Sequence, residues 1–128
     1  MRIGTIETPL RLAVFISGSG SGMEALLHYQ ESNSCSHETI LVLSNVAEVA
    51  GLEKAKNFDI STVVVEVDKS ILDPTTRRES HEKEIMKVLE KHNIEAVILS
   101  GYMRIMSPLF VSAWEGRFLN IHPSLLPK

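Results

Sequence analysis

The last eleven residues of the chain contain the two side chains best suited to catalysis, Asn120 and His122. Apolar residues at positions 118, 119 and 121 predict a short buried strand here, and residues two apart on a strand project from the same face. Pro123 disfavours helix at the residue before it, so we expect His122 to be extended. An imidazole can move protons near neutral pH, and an amide N–H can stabilise a developing oxyanion. The pair alone also fits a structural role, in which both side chains tie the strand end to a loop.

A second candidate site is the serine- and glycine-rich segment at residues 17–22. It follows a continuous apolar run at residues 12–16, typical of a strand covered on both faces, and precedes a predicted helix at residues 23–29. Glycines at alternate positions allow a tight turn, and the backbone amides at a helix N-terminus form an anion site. The spacing matches neither the dinucleotide-binding fingerprint nor a phosphate-binding loop ending in Lys-Ser/Thr. On spacing alone, a flexible connector explains the segment equally well.

Strand and helix patterns alternate along the chain and position both segments. Apolar or β-branched runs predict strands at residues 12–16, 40–43, 60–67, 96–100 and 118–121. Helical spacing and helix-start signals predict helices at residues 23–29, 47–58, 76–92 and 107–114. This order predicts an α/β fold with a doubly wound, mainly parallel sheet. Ligands of such sheets bind in the crevice beyond the carboxyl ends of the strands, where both candidate segments fall.

Composition restricts the kind of ligand and the compartment. A chain of 128 residues with 44% hydrophobic residues suits one domain, which we assign to residues 11–128 after a lead-in at residues 1–10. A net charge of −3 argues against nucleic-acid binding, and no apolar run is long enough to span a membrane. The single Cys35 excludes an internal disulfide and has no neighbours at zinc-ligand spacing. We therefore expect a cytoplasmic, metal-free protein that binds a small molecule.

Three further features have a plain structural interpretation. The charged first half of the helix predicted at residues 76–92 is expected to be a solvated face, which would make Arg78 a surface side chain. The segment at residues 101–106 either presents backbone groups to the crevice or packs its apolar side chains inward as a core turn. The remaining histidines lie in helical or polar surroundings and are expected at the surface: His28, His37, His81 and His92.

Three segments together resemble the folate-dependent formyltransferases. Residues 120–127, Asn-Ile-His-Pro-Ser-Leu-Leu-Pro, are similar to the signature of that family. The segments at residues 17–22 and 101–106 are similar to two further segments of it. Pro123 favours the phosphoribosylglycinamide (GAR) formyltransferases of purine synthesis, because methionyl-tRNA formyltransferases usually carry Ala and formyltetrahydrofolate deformylases usually carry His there. The resemblance implies a Rossmann-like fold and the transfer of a formyl group from 10-formyltetrahydrofolate to the amine of GAR.

The resemblance also implies a role for individual residues and no need for a metal. The catalytic residues would be His122 and Asn120. The residues that bind the substrate phosphate through their amides would be Gly20, Ser21 and Gly22. The residues that bind the folate co-substrate would be Arg78, Met103, Arg104, Ile105, Met106 and Asn120. The chain departs from the family where Asn residues are usual, because it has Ser19 and Gly22 there, and Gly22 lacks a side chain that could order the loop.

The resemblance covers residues 12–128, whereas the family's domain continues and supplies from a later loop an Asp that pairs with the active-site His. We therefore expect the chain to be the N-terminal portion of a formyltransferase domain, with the C-terminal part absent, and to be inactive alone. Two alternatives are a formyltetrahydrofolate deformylase and a catalytically inactive fragment that binds a phosphate ligand. The expected partner is the small molecule GAR, with no nucleic acid and no membrane, and a homo-oligomer is left open.

Overall fold

A computed structural model of the chain describes residues 3–103 and 106–120, apart from the side chains of Leu109 and Asn120. Strands and helices alternate along this part of the chain. The strands are β1 (Leu10–Ile16), β2 (His37–Ser44), β3 (Ser61–Val64), β4 (Ala96–Leu99) and β5 (Phe118–Asn120). The helices are α1 (Ser21–Ser32), α2 (Ala50–Asn57), α3 (Pro74–Lys91) and α4 (Pro108–Ala113).

The described strands form one parallel sheet in the order β3-β2-β1-β4-β5. Central β1 pairs along both edges, so that Leu12 lies opposite Thr39 of β2 and Ala96 of β4. The chain runs outward from β1 to β3 and then crosses to the other side of β1 to form β4. The point at which the strand order reverses therefore lies between β1 and β4. The predicted α/β class with a doubly wound, parallel sheet is confirmed.

Alternate side chains of β1 pack into two apolar cores, one on each face of the sheet. On one face, Val14 and Ile16 pack with residues of α1 and α2 such as Met23. On the other face, Phe15 packs with residues of α3 and α4 such as Ile85. Phe15 and Ile16 are fully buried, and burying a side chain of this size contributes about 1.5–3 kcal/mol. Packing on both faces explains the continuous apolar run and holds the carboxyl end of β1 firmly in place.

Strand boundaries differ from the sequence prediction by a few residues. β2 begins at His37 rather than at residue 40, because it pairs with β1 from Leu10 onward despite its polar start. The ladder between β1 and β2 skips Ile40, which forms an irregularity in the register. β3 ends at Val64 rather than at residue 67, because its partner β2 ends opposite it at Ser44.

Helix boundaries follow from capping and from backbone conformation. α3 begins at residue 74 rather than 76, because the Asp73 side chain caps it by accepting a hydrogen bond from Thr76 N at 2.9 Å. α2 begins at residue 50 rather than 47, since Glu48 has a φ of 58°, which is not helical. Ser107 caps α4, with proline in the first helical turn as predicted. None of the helices in the described ranges combines the length and apolar character needed to cross a bilayer.

Candidate active site

The carboxyl ends of β1 and β4 lie side by side at the reversal point and lead into two loops. The first loop, residues 17–20, continues into α1, and the second loop, residues 100–107, continues into α4. Ser100 N donates a hydrogen bond to Phe15 O at 2.9 Å, which extends the contact between the strands to the start of the second loop. The crevice beyond these two strand ends is the place where ligands of doubly wound sheets bind.

The first loop turns sharply at Gly20 before α1 begins. Gly20 has φ 64° and ψ 35°, a left-handed conformation that favours glycine, and it is the N-cap residue. Glycine has no side chain, so the N-cap residue itself places no side-chain cap on the amides of the first helical turn. Gly20 and Gly22 are buried, whereas Ser21 is exposed. The three predicted phosphate-binding residues are thus together at a helix N-terminus, where amides and the helix dipole can hold an anion.

The start of α2 packs tightly against the first loop. Gly51 N donates a hydrogen bond to Gly18 O at 3.0 Å. A Cβ atom added at Gly51 would lie 2.5 Å from Ile16 Cδ1 and 2.8 Å from Gly18 O, so only glycine permits this approach. Gly51 falls inside the helix predicted at residues 47–58, and a glycine inside a helical pattern often has such a packing reason.

The side chains of the second loop differ in exposure. Met103 is 80% exposed, and its N–H donates a hydrogen bond to Ser17 Oγ at 2.8 Å. Met106 is half-buried and packs against the apolar core beneath the loop, as does Tyr102, whose ring lies 5.3 Å from that of Phe15. Met106 therefore fits the interpretation of this segment as a core turn, whereas Met103 does not pack inward. Arg104 and Ile105 lie outside the described residues.

Arg78 lies on α3, on the face of the sheet that the second loop also covers. It lines a cavity of about 10 Å³ together with Tyr102 and Met106 of that loop, and a space of this size holds about one water molecule. Arg78 Nε is buried and has no hydrogen-bond partner among the described residues. A buried N–H group without an acceptor is costly, so this atom is suited to an acceptor from a ligand or a water molecule.

Glu82 attaches α3 to the end of the second loop. Its carboxylate accepts hydrogen bonds from Ser107 N at 2.7 Å and from Ser107 Oγ at 2.5 Å. Glu82 is only 6% exposed, so the two bonds compensate a buried charge. Ser107 is also the N-cap of α4. One carboxylate therefore fixes both the end of the second loop and the start of the next helix.

Asn120 is the last residue of β5, and its backbone lies opposite Leu99 of β4. This register brings the end of β5 next to the second loop. The side chain of Asn120, and His122 as a whole, lie outside the described part of the structure, so their catalytic roles stay predictions.

The groups beyond the carboxyl ends of β1 and β4 are backbone amides and serine hydroxyls, and the Arg78 guanidinium lies under the second loop. Within residues 3–103 and 106–120, no three His, Cys, Asp or Glu side chains lie close enough together to hold a metal ion. The arrangement can bind an anion at the first loop and a partly apolar molecule at the second loop.

The sequence profile described as formyl transferase matches residues 10–128. The chain belongs to the formyl transferase family. The trifunctional purine biosynthetic protein adenosine-3 of Chironomus tentans is 46% identical over 121 residues, which are 92% of this chain and 8% of that protein. The phosphoribosylglycinamide formyltransferase of Escherichia coli (strain K12) is 38% identical over 119 residues, which are 93% of this chain and 54% of that protein.

Solved structures of formyl transferases have the same fold. A phosphoribosylglycinamide formyltransferase from Brucella melitensis matches with a TM-score of 0.80 at 40% identity, covering 93% of this chain and 59% of that one. A formyltetrahydrofolate deformylase from Pseudomonas putida KT2440 matches with a TM-score of 0.76 at 23% identity, which shows a shared fold alone. The present chain spans 54% of the E. coli relative and a much smaller share of the trifunctional one.

Two expectations about α3 are wrong. His81 and Glu82 are buried rather than part of a solvated surface, and His81 Nε2 lies 2.7 Å from Val65 O. Both residues precede the buried Ile85 by three or four positions, so they lie on the same helical face, which turns toward the sheet. Helical spacing counted back from Ile85 would have revealed this, whereas polarity alone concealed it.

Proposed function

We propose that the protein transfers a formyl group from 10-formyltetrahydrofolate to the amine of GAR. The observation that carries this proposal is the similarity to proteins named phosphoribosylglycinamide formyltransferase along more than nine-tenths of the chain. The two loops that meet beyond β1 and β4 support it, because a reaction between two substrates needs two adjacent sites. The activity is a proposal for the whole protein, since this chain spans about half of such relatives.

We assign the phosphate of GAR to the amides of Gly20, Ser21 and Gly22. A net charge of −3 offers no general attraction for an anionic substrate, so binding depends on local donors. The left-handed Gly20 carries no side-chain cap, which leaves the amides of Ser21 and Gly22 available. The positive end of the helix dipole adds to their attraction for phosphate.

We assign the folate co-substrate to the second loop and to Arg78. The apolar side chains of Met103, Ile105 and Met106 suit a flat heterocycle. Arg78 and Arg104 carry the positive charge that suits the carboxylates of folate, and a guanidinium binds a carboxylate through two parallel hydrogen bonds. The buried Nε of Arg78 next to Met106 supports this assignment.

In the proposed reaction, the GAR amine attacks the formyl carbon and forms a C–N bond. The carbonyl oxygen becomes an oxyanion, which Asn120 and His122 stabilise by hydrogen bonding. The bond from the formyl carbon to the folate nitrogen then breaks. One proton moves from the amine to that nitrogen, relayed by His122 or by a water molecule. Tetrahydrofolate and formyl-GAR are the products, and no metal takes part.

Two rival functions differ in what they release. A deformylase would pass the formyl group to water, and a non-catalytic fragment would bind a phosphate ligand without turnover. Pro123 and the serine- and glycine-rich first loop favour the transferase. We further propose that the protein is cytoplasmic. Its partners are small molecules, and neither nucleic acid nor membrane is among them. A homo-oligomer is compatible with this function.

The test compares two chain lengths with and without GAR. Residues 1–128 are expressed alone, and also followed by the C-terminal half of the E. coli relative. We expect GAR-dependent change in folate absorbance only from the longer chain, and loss of most of it with His122→Ala or Asn120→Ala. Formate release without GAR would establish the deformylase instead. Full turnover by residues 1–128 alone would contradict the need for a carboxylate partner of His122 from outside this segment.

A further inference from the structure

Two serine hydroxyls link the first and second loops in a reciprocal manner. Ser100 begins the second loop, and its Oγ accepts a hydrogen bond from Met23 N of α1 at 2.9 Å. Ser17 begins the first loop, and its Oγ accepts a hydrogen bond from Met103 N of the second loop at 2.8 Å. Each serine therefore holds a backbone amide of the segment that follows the neighbouring strand.

Ser17 can both donate and accept, and Ser100 accepts in a buried environment. Ser17 Oγ donates its only proton to Asn45 Oδ1 at 2.6 Å, which leaves a lone pair for Met103 N. Ser100 is 6% exposed, and its backbone N–H is fixed by Phe15 O of β1. Water therefore competes poorly for Ser100 Oγ, and the Met23 amide is held in a buried environment.

The Met23 amide, which is bonded to Ser100, is not among the amides assigned to the phosphate. Met23 is the third residue of α1, and the first amides of a helix have no partner within it. Ser100 satisfies the Met23 amide, and the amides of Ser21 and Gly22 remain for an anion. The end of α1 that would bind phosphate is thus attached to the loop that would bind folate.

We propose that Ser17 and Ser100 are positioning residues that couple the two ligand sites, so that each ligand raises the affinity for the other. This inference rests on the proposed function. A ligand that orders one loop also restricts the loop bonded to it, and the second ligand then loses less conformational entropy on binding. Because coupling between equilibria is reciprocal, the factor must be the same in both directions.

Calorimetry on the longer chain, the one expected to be active, tests the coupling between the two ligand sites. The dissociation constant of GAR is measured with and without saturating tetrahydrofolate, and that of tetrahydrofolate with and without GAR. We expect the unmodified protein to show the same factor, about fivefold or more, in both directions. The double variant Ser17→Ala, Ser100→Ala should reduce the factor to less than about twofold. Ser112→Ala, an exposed serine on α4, is the matched control and should leave it unchanged.

Amide hydrogen exchange adds a readout that a general loss of stability cannot imitate. Ser100→Ala should accelerate exchange at Met23 more than at Met103, and Ser17→Ala should do the opposite. If the double variant does not fold, calorimetry and hydrogen exchange on Ser17→Ala alone provide the test. Ser17 is only half-buried, so this substitution should disturb folding less. Unchanged coupling in a folded variant, or no coupling in the unmodified protein, would overturn the inference and leave the proposed function intact. A protein that binds neither ligand would overturn the proposed function and this inference with it.

Discussion

At the scale of single residues, Gly20 gives the most direct test of the anion site. Gly20→Val would place a β-branched residue at φ 64°, with its Cβ 3.0 Å from Met23 Cε and 3.2 Å from Gly51 Cα. A left-handed non-glycine residue costs about 1–2 kcal/mol before these contacts are counted. We expect GAR binding measured by calorimetry to be lost while tetrahydrofolate binding persists.

Gly18→Ala is the matched control for Gly20→Val. An added Cβ at Gly18 meets no atom within 4 Å, so this variant should bind both ligands normally. If Gly20→Val weakened the binding of both ligands equally, we would conclude that the substitution had unfolded the domain. The assignment of phosphate to the first loop would then lose its support.

Arg78 tests the folate site. In a turnover-competent enzyme, Arg78→Ala should raise the KM for 10-formyltetrahydrofolate about tenfold or more, as expected for a lost hydrogen bond to a charged group. It should lower kcat less, because the interaction is shared by the ground state and the transition state. Steady-state kinetics with varied folate measures both quantities.

The adjacent Arg77 controls for a general effect of removing charge from α3. Its guanidinium donates hydrogen bonds to Ile71 O at 2.7 Å and to Leu72 O at 3.3 Å, before the helix begins. Arg77→Ala should therefore lower stability while leaving the folate KM unchanged. A similar rise in KM for both variants would contradict the assignment of Arg78 to the folate site.

At the scale of secondary-structure elements, Glu82 joins α3 to α4. Glu82→Ala leaves the amide and hydroxyl of Ser107 without their buried acceptor, which costs roughly 1–3 kcal/mol in the free energy of unfolding. Glu82→Gln keeps one acceptor oxygen and should cost less. Urea denaturation measures the difference, with the exposed Glu79→Ala as control, for which a change within about 0.5 kcal/mol is expected. Equal effects of the two alanine variants would show that the bonds to Ser107 contribute nothing.

The N-terminus of α3 should respond to acid through Asp73. Hydrogen bonds from the Thr76 hydroxyl and amide hold the pKa of the Asp73 carboxyl below its usual range. A lowered pKa in the folded state means that this contribution to stability is present above the unfolded pKa, about 3.9, and is lost as the pH falls through the folded value. The melting temperature of the natural protein should therefore exceed that of Asp73→Ala near neutral pH, and the gap should narrow below about pH 4.

Asp73→Asn separates titration from capping, because Asn is also a good N-cap but does not ionise. Its advantage over Asp73→Ala should persist in acid. Asp68, whose pKa the Ser70 hydroxyl and amide also lower, is present in all three proteins, so its effect cancels in the comparison. A constant gap between the natural protein and Asp73→Ala at every pH would contradict the expectation.

At the scale of the whole molecule, the two edges of the described sheet differ in exposed apolar surface. Leu119 on β5 is 61% exposed, and Val64 on β3 is 39% exposed. An edge strand with an exposed apolar side chain favours pairing with another chain. We expect residues 1–128 to self-associate in sedimentation velocity experiments, and Leu119→Lys to reduce this more than Val64→Lys does. Equal effects of the two lysines would indicate charge repulsion rather than the β5 edge.

The sequence predicted the strands, helices and turns better than the hydrogen bonds between segments that are distant along the chain. The apolar run at residues 12–16 indicated a central strand because both of its faces are packed, and the glycine at position 20 indicated the turn into α1. The bonds from Met23 to Ser100 and from Met103 to Ser17 join residues 77 and 86 positions apart. Such bonds depend on how the strands are ordered in space, which no local pattern contains. The burial of Glu82 follows from helical spacing relative to Ile85, whereas its bond to Ser107 depends on the spatial arrangement of another element.

The central position of β1 also determines when the chain can fold during synthesis. Arg11 at the start of β1 and Glu95 just before β4 bond to each other across 84 residues. At translation rates of about 5–20 residues per second, the ribosome needs roughly 4–17 seconds to make that interval. Throughout this time the edge of β1 that pairs with β4 has no partner on the nascent chain. The strand that organises the finished protein is therefore left open along one edge while the protein is being made.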